Sequence, residues 1–157
     1  MKKDTYKNKA TFLEKLKTKS KREANLFFSL CEDDSEIVNT KKFKEVLLNS
    51  GLKANDKRLY NLFQNLDAHG DKIVFEDFID IIRSSELIVE KSLRGELSIP
   101  DFSYFAKNLD SMFDEVKKIK TGELASYIPP LAEVDPDQFG VAIVTADGQI
   151  YQKGDSN

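Results

Sequence analysis

One cysteine and one histidine among 157 residues leave little redox or metal chemistry within reach. Cys31 has no second thiol, so no internal disulfide can form, and a reducing, cytoplasmic setting is the expectation. It follows the apolar end of a helix, where a buried thiol is the ordinary outcome. His69 has no cysteine or histidine near it at zinc-ligand spacing, which argues against a structural zinc site and leaves a solvated loop residue. Long apolar runs are missing too. Nothing approaches the roughly 20 residues of a membrane span, so no membrane association is expected. No metal and no cofactor enter the reading.

What the chain holds in quantity is charge: 32% of residues, against 40% hydrophobic, the balance of a globular protein. The net charge of -3 hides an uneven spread. Lys2, Lys3, Lys7, Lys9, Lys15, Lys17, Lys19, Lys21 and Arg22 face only Asp4 and Glu14 in a basic arm over residues 1–22. The arm has no apolar h-region, and lysines mixed with carboxylates do not suit an organelle transit peptide, so neither targeting label is expected. Phe12, Leu13 and Leu16 give its later part the pattern of an amphipathic helix with a solvated lysine face, preferred here over contact with nucleic acid or anionic lipid.

The middle of the chain is punctuated as four helices. Leu26, Phe27 and Leu30 close the first, and Phe43, Val46 and Leu47 line the second, with Asn39 and Thr40 as candidate N-caps and Ser50-Gly51 as its stop. A third is expected from Asp56 as N-cap, with Leu59, Leu62, Phe63 and Leu66 on one face. The fourth carries Phe75, Phe78, Ile81 and Ile82. In each of the two inter-helix loops an aliphatic residue precedes a phenylalanine by five positions, Val38 to Phe43 and Ile73 to Phe78, which is an internal helix-loop-helix repeat.

That spacing resembles a pair of EF-hands, whose two loops join through their aliphatic residues. The ligands do not follow. Calcium needs oxygen donors early in each loop, a central glycine and a final bidentate carboxylate. Counting back from Val38 puts Cys31 first, Glu36 where glycine belongs and Lys42 last, where a cation would repel the ion. The second loop, Asp67 to Ile73, is one residue short when begun at Asp67 and ends at Asp77 rather than the longer Glu. Calcium binding is therefore not expected, and the pair is read as a fold kept for packing and partner contacts.

Beyond the repeat, Ile99-Pro100-Asp101 introduces a patterned helix. Phe102, Phe105, Ala106, Leu109, Met112, Phe113 and Val116 form one apolar stripe that calls for a partner surface. Lys117, Lys118 and Lys120 are expected in its last turn, with Thr121-Gly122 as the stop. Then Phe139 to Thr145 is almost wholly apolar, Asp147-Gly148 is a tight-turn signal, and Ile150-Tyr151-Gln152 begins a returning strand. A strand apolar on both faces belongs inside a sheet covered on both sides, and two strands alone are marginal. The hairpin is thus expected to open a larger domain. The competing reading folds it back onto the helices or pairs it with another chain.

The run Gly122-Glu123-Leu124-Ala125-Ser126-Tyr127-Ile128-Pro129-Pro130-Leu131-Ala132, then Asp135-Pro136, Phe139-Gly140-Val141-Ala142, Thr145-Ala146-Asp147-Gly148-Gln149 and Gly154-Asp155, resembles the opening of the glutaminase catalytic domain. Ser50-Gly51-Leu52-Lys53 with Arg58-Leu59, and Ile99 to Phe102 with the helix behind them, are similar to the helical N-terminal region of kidney-type glutaminases. The resemblance implies a mainly α fold: an EF-hand-like domain over 23–96, a linker helix over 97–121, and from 122 to 157 the first hairpin of a serine-β-lactamase-like α/β domain. It implies hydrolysis of L-glutamine to glutamate and ammonia, and assembly into a homo-oligomer, a dimer or tetramer. The family's S-x-x-K nucleophile would lie shortly beyond Gly154-Asp155, so the chain alone is expected to be inactive. One active-site residue of the family falls within the chain, Tyr127, its hydroxyl expected near the substrate amide or the nucleophile. Ser126 beside it stands where the family usually has an acid, and a half-buried packing role for Tyr127 stays open. The alternative for the whole chain is a stand-alone EF-hand-like interaction module.

Overall fold

A computed structural model describes residues 18–31 and 36–156. The basic arm before residue 18, with its expected amphipathic helix, lies outside them. Helix α1 (Thr18–Leu30) is followed by a two-residue strand β1 (Val38–Asn39) and helix α2 (Thr40–Asn49). Helix α3 (Tyr60–His69), strand β2 (Lys72–Ile73) and helix α4 (Phe75–Ile82) repeat the pattern. The two strands pair antiparallel, with Val38 opposite Ile73 and Asn39 opposite Lys72. This is the bridge that the resemblance to paired EF-hands implied. Val38 and Ile73 are fully buried, as are Phe43 and Phe78 at the starts of the exiting helices. The loops are tied a second time by Thr40, whose amide donates to Asp71 O at 3.1 Å and whose hydroxyl donates to Gly70 O.

A single apolar core runs from Leu26 to Leu97. Its centre is aromatic: the Phe27 ring stands edge-on to Phe78 at 5.5 Å and to Phe75 at 5.5 Å, and Phe43 lies 5.6 Å from Phe78. Helix α1 packs on α4 and on the next helix, α5 (Glu86–Arg94), which closes the module. Cys31 packs against this core only half-buried, its thiol donating to Phe27 O, so the expectation of a fully buried thiol is corrected. The helix-ending position leaves one side of the sulfur at the rim.

Helix starts and stops follow local chemistry. Asn39 Oδ1 accepts the Lys42 amide at 3.0 Å and caps α2, with Thr40 as its first residue. Gly51 ends it at φ 87°, and a Cβ there would sit 2.7 Å from the Phe102 ring, so the residue serves both the left-handed turn and the close approach of that ring. The third helix does not begin at Asp56 but at Tyr60. Asp56 is taken up in a tight turn, accepting from the Arg58 amide at 2.9 Å and from its guanidinium at 2.6 Å, while Leu59 N closes on Asp56 O.

An ion pair with a buried carboxylate and a half-exposed arginine ties α1 to α5. Glu90, whose side chain is 5% exposed, is gripped by the Arg22 guanidinium, whose Nε donates at 2.6 Å, and by Arg94 at 3.0 Å. The Arg22 hydrogen bond, with both guanidinium charges, holds the Glu90 carboxyl below its ordinary 4.5. A carboxyl so lowered contributes stability that is present above pH 4.5 and is lost as pH falls through its folded value. Urea midpoints between about pH 6 and about pH 3 should therefore fall less steeply in Glu90→Gln than in the parent chain. Parallel pH profiles would show that the pair adds nothing to acid sensitivity.

Helix α6 (Phe102–Val116) starts at Asp101, whose Oδ1 accepts the Tyr104 amide at 3.0 Å. It ends earlier than expected, relaxing into i to i+3 bonds from Lys118 N and Ile119 N, so that Lys117, Lys118 and Lys120 lie past the helix. A one-turn helix α7 (Pro129–Ala132) and a hairpin of β3 (Gly140–Val144) and β4 (Ile150–Gly154) complete the chain, with Val141 opposite Lys153 and Ile143 opposite Tyr151. The stripe on α6 is only partly covered. Phe102 and Phe113, three turns apart on one line, are buried under Gly51 and the hairpin, whereas Met112, about 100° around from Phe113, is 59% exposed.

Candidate functional site

Tyr127 sits in a tight turn between α6 and β3, where Ile128 N closes on Ala125 O at 2.9 Å and Pro129 starts α7 at the position that suits proline. It is 84% exposed, so the half-buried packing role does not hold within this chain. Leu124, Ile128, Leu131 and Val134 around it are also exposed. The segment from 117 to 138 is held mainly by its own turns and by the Lys120–Asp137 ion pair. It displays a phenol among aliphatic side chains, and by itself it encloses no substrate.

The letters S-x-x-K do occur once within the described residues, as Ser50-Gly51-Leu52-Lys53, and geometry disqualifies them. A serine and lysine three apart face each other only on a continuous helix, and Gly51 at φ 87° ends the helix between them. Ser50 instead donates to Leu47 O at 2.7 Å and accepts from Ser92 Oγ at 2.8 Å, a structural role at a helix stop.

The second loop of the repeat is tighter than its sequence suggests. Helix α3 continues through His69, so Asp67 is still helical and pairs with Lys44. His69 is exposed as expected, but it ends α3 rather than lying in the loop, with Nε2 3.2 Å from Asp77 Oδ2. Asp77, the residue nearest to a closing ligand, is thereby directed at an imidazole. No grouping of three or more His, Cys, Asp or Glu side chains able to hold a metal ion is found among the described residues.

The most densely bonded part of the C-terminal segment is the hairpin turn. Gln149 is fully buried, and its amide reaches three backbone groups. Nε2 donates to Ser50 O and Ile99 O, each at 2.8 Å, and Oε1 accepts the Ile99 amide at 2.9 Å. Ile150 N donates to Gly51 O at 2.9 Å. Asp147 accepts from Ser98 N at 2.8 Å, Ser98 Oγ at 2.6 Å and Lys91 Nζ at 3.2 Å, and these bonds hold its carboxyl below the ordinary carboxylate range. Arg58 donates to Asp147 O at 2.6 Å. The lower end of the hairpin rests on α6, where Tyr151 Oη donates to Asp110 at 3.0 Å and the Phe139 ring lies 4.7 Å from Phe113. Burial raises the Tyr151 hydroxyl and the Asp110 hydrogen bond adds to it.

Of its two competing expectations, the hairpin meets the fold-back onto the helices in part. It does fold back onto the helices, but β3 alternates between exposed and half-buried residues, and Val144 is 66% exposed. One face is covered and the other is open. Sequence reasoning saw Asp147-Gly148 only as a turn and missed Gln149, Ser98 and Arg58 as its anchors. A glutamine following a turn in an otherwise apolar ribbon was the only local signal, because its partners are backbone groups distant in sequence.

Comparison with known proteins agrees with both halves of this geometry. The family described as EF-hand domain matches residues 22–100, and the family described as Glutaminase matches residues 122–157. The chain is 31% identical over 146 residues to putative glutaminase 3 of Caenorhabditis elegans, covering 83% of this chain and 24% of that protein. It is 30% identical over 135 residues to the mitochondrial glutaminase liver isoform of Rattus norvegicus, covering 82% of this chain and 22% of that protein. A glutaminase of Nostoc is 42% identical over 66 residues, 42% of this chain and 20% of its own length. The chain thus spans about a quarter or less of the length of these relatives. Among the described residues no helix is long and apolar enough to cross a membrane. Residues 22–100 belong to the EF-hand domain family, and the chain as a whole is a glutaminase-related protein.

Proposed function

We propose that this chain supplies the N-terminal part of a glutaminase that hydrolyses L-glutamine to L-glutamate and ammonia. The observation that carries the reading is the agreement between the glutaminase match at 122–157 and an exposed arm presenting Tyr127 among aliphatic side chains. Such an arm suits a wall of a substrate site whose other walls come from elsewhere in a serine-β-lactamase-like domain. Tyr127 would touch the substrate amide or the attacking serine there, its hydroxyl moving or steadying a proton. The division into an arm (1–22), a helical domain (23–96), a linker helix (97–121) and the start of a catalytic domain (122–157) belongs to the same reading. So do subunit assembly or regulation by the helical domain, a homo-oligomer as the working form, and a cytoplasmic location, the last because one cysteine among these residues cannot form a disulfide within them.

The chain by itself should release no more ammonia from L-glutamine than a protein-free control, whereas the natural gene product assayed at its native length should turn glutamine over. Ammonia release by the 157 residues alone would place the nucleophile within them and overturn this assignment. A stand-alone interaction module is the second reading, favoured by a helical core that closes on itself between Leu26 and Leu97. It would gain if the native-length product were inert and the helical domain captured a partner in a calcium-dependent way.

A further inference from the structure

We propose that the Asp147-Gly148-Gln149 turn is a latch, received by a site on the helical module, and that it makes module and hairpin one mechanical unit. The site is assembled from separate stretches: the end of α2 at Ser50 and Gly51, Arg58 after it, Lys91 on α5, and Ser98 with Ile99 before α6. It fits this turn in three ways. Gln149 has no exposed surface, and both its amide hydrogens and its carbonyl oxygen are used on backbone groups, Ser50 O, Ile99 O and Ile99 N. Burial of an amide costs heavily unless every group finds a partner, and here Ser50 and Ile99 supply them all. Asp147 completes the reception by accepting from Ser98 and Lys91, while its own carbonyl is taken by Arg58. Gly148, at φ 85°, has no Cβ, and one placed there would meet Asp56 Oδ2 at 3.2 Å and the Arg58 guanidinium.

A two-stranded hairpin in water is marginal on its own, so the order of this one comes from the module. The latch joins the segment matched by the EF-hand family to the one matched by the glutaminase family. On the glutaminase reading above, on which only this consequence rests, a shift of α2 or α5 would reach the catalytic sheet directly through its first turn. Any regulator acting on the helical domain would then have a route to the chemistry that needs no contact with substrate.

The test uses the chain as it is and needs no activity, so its failure is separate from failure of the glutaminase reading. Amide hydrogen exchange is measured on the parent chain, Gln149→Leu, Asp147→Ala, and Gln152→Ala as a control on an exposed residue. In the parent, Thr145, Gly148 and Ile150 amides should be protected to within about tenfold of the core amides of Phe63 and Phe78. Gln149→Leu, which strands two carbonyls and one N–H, should speed exchange in the hairpin about 100-fold while Phe63 and Phe78 change less than about threefold. Asp147→Ala should give a selective loss of about tenfold, and it decides the matter should Gln149→Leu unfold the whole chain. Hairpin amides that exchange freely in the parent would overturn the proposal. So would hairpin amides that Asp147→Ala leaves as protected as Gln152→Ala does, or that lose protection only in step with the module core.

Discussion

Phe78→Ala is expected to cost the helical module about 3–5 kcal/mol, the usual toll for emptying a fully buried phenylalanine site. The position sets the upper part of that range. Phe78 has no exposed surface, meets Phe27 edge-on at 5.5 Å and lies 5.6 Å from Phe43, so its removal strips contacts from both halves of the repeat at once. It also opens the α4 exit immediately after the Val38–Ile73 bridge, leaving the pairing of the loops without its floor. Domains of this size are stable by about 5–15 kcal/mol, so about a fifth or more of the total would go. Urea unfolding followed by far-ultraviolet circular dichroism reads the effect, with Phe78→Leu as a milder comparison that keeps most of the volume. A loss below about 1 kcal/mol would mean that the aromatic cluster is not the centre of the fold.

The second large effect concerns chemistry rather than stability. On the proposed glutaminase reading, Tyr127→Phe in a native-length product that turns over glutamine should lower kcat by about 100- to 1,000-fold, the range for removing one hydrogen-bonding group aimed at developing charge. The same change should leave thermal unfolding of the present chain where it was, since the side chain is 84% exposed and the substitution deletes only a solvated hydroxyl. This pairing separates a group that touches the reacting atoms from one that merely packs. A kcat within about threefold of the parent enzyme would remove Tyr127 from the catalytic machinery.

The helical module was legible in the sequence because it is built from local rules applied twice. The five-residue interval from Val38 to Phe43, repeated from Ile73 to Phe78, marks the repeat, and the resemblance to paired EF-hands that it carries implies the Val38–Ile73 bridge, which is present with both phenylalanines buried beside it. Asn39 and Asp101 cap helices as their positions suggest, because the bond each makes reaches only three residues ahead. The misses have a common cause. Asp56 had two local partners to choose from, and the turn to Arg58 won over a helix N-terminus. The apolar stripe of α6 was read correctly as a stripe, but nothing in its spacing says how much of it the hairpin can cover. Gln149 was invisible as an anchor for the same reason: its partners are carbonyls and an amide in Ser50 and Ile99, groups that every residue carries. Of the candidate active site, only Tyr127 could be named, through resemblance rather than through any pattern of neighbours.

The uncovered side of the hairpin also governs how the protein behaves in a crowded tube. Strand β3 reads Gly-Val-Ala-Ile-Val, without a lysine, proline or other gatekeeper, and within its sheet it pairs with β4 alone. Its outer rim therefore offers a row of open amides and carbonyls beside β-branched side chains, a template on which a like strand can dock. Aggregation of this chain is therefore expected to rise with concentration, and Val144→Lys, at a residue 66% exposed, should reduce it without touching the buried contacts beneath, as light scattering would show.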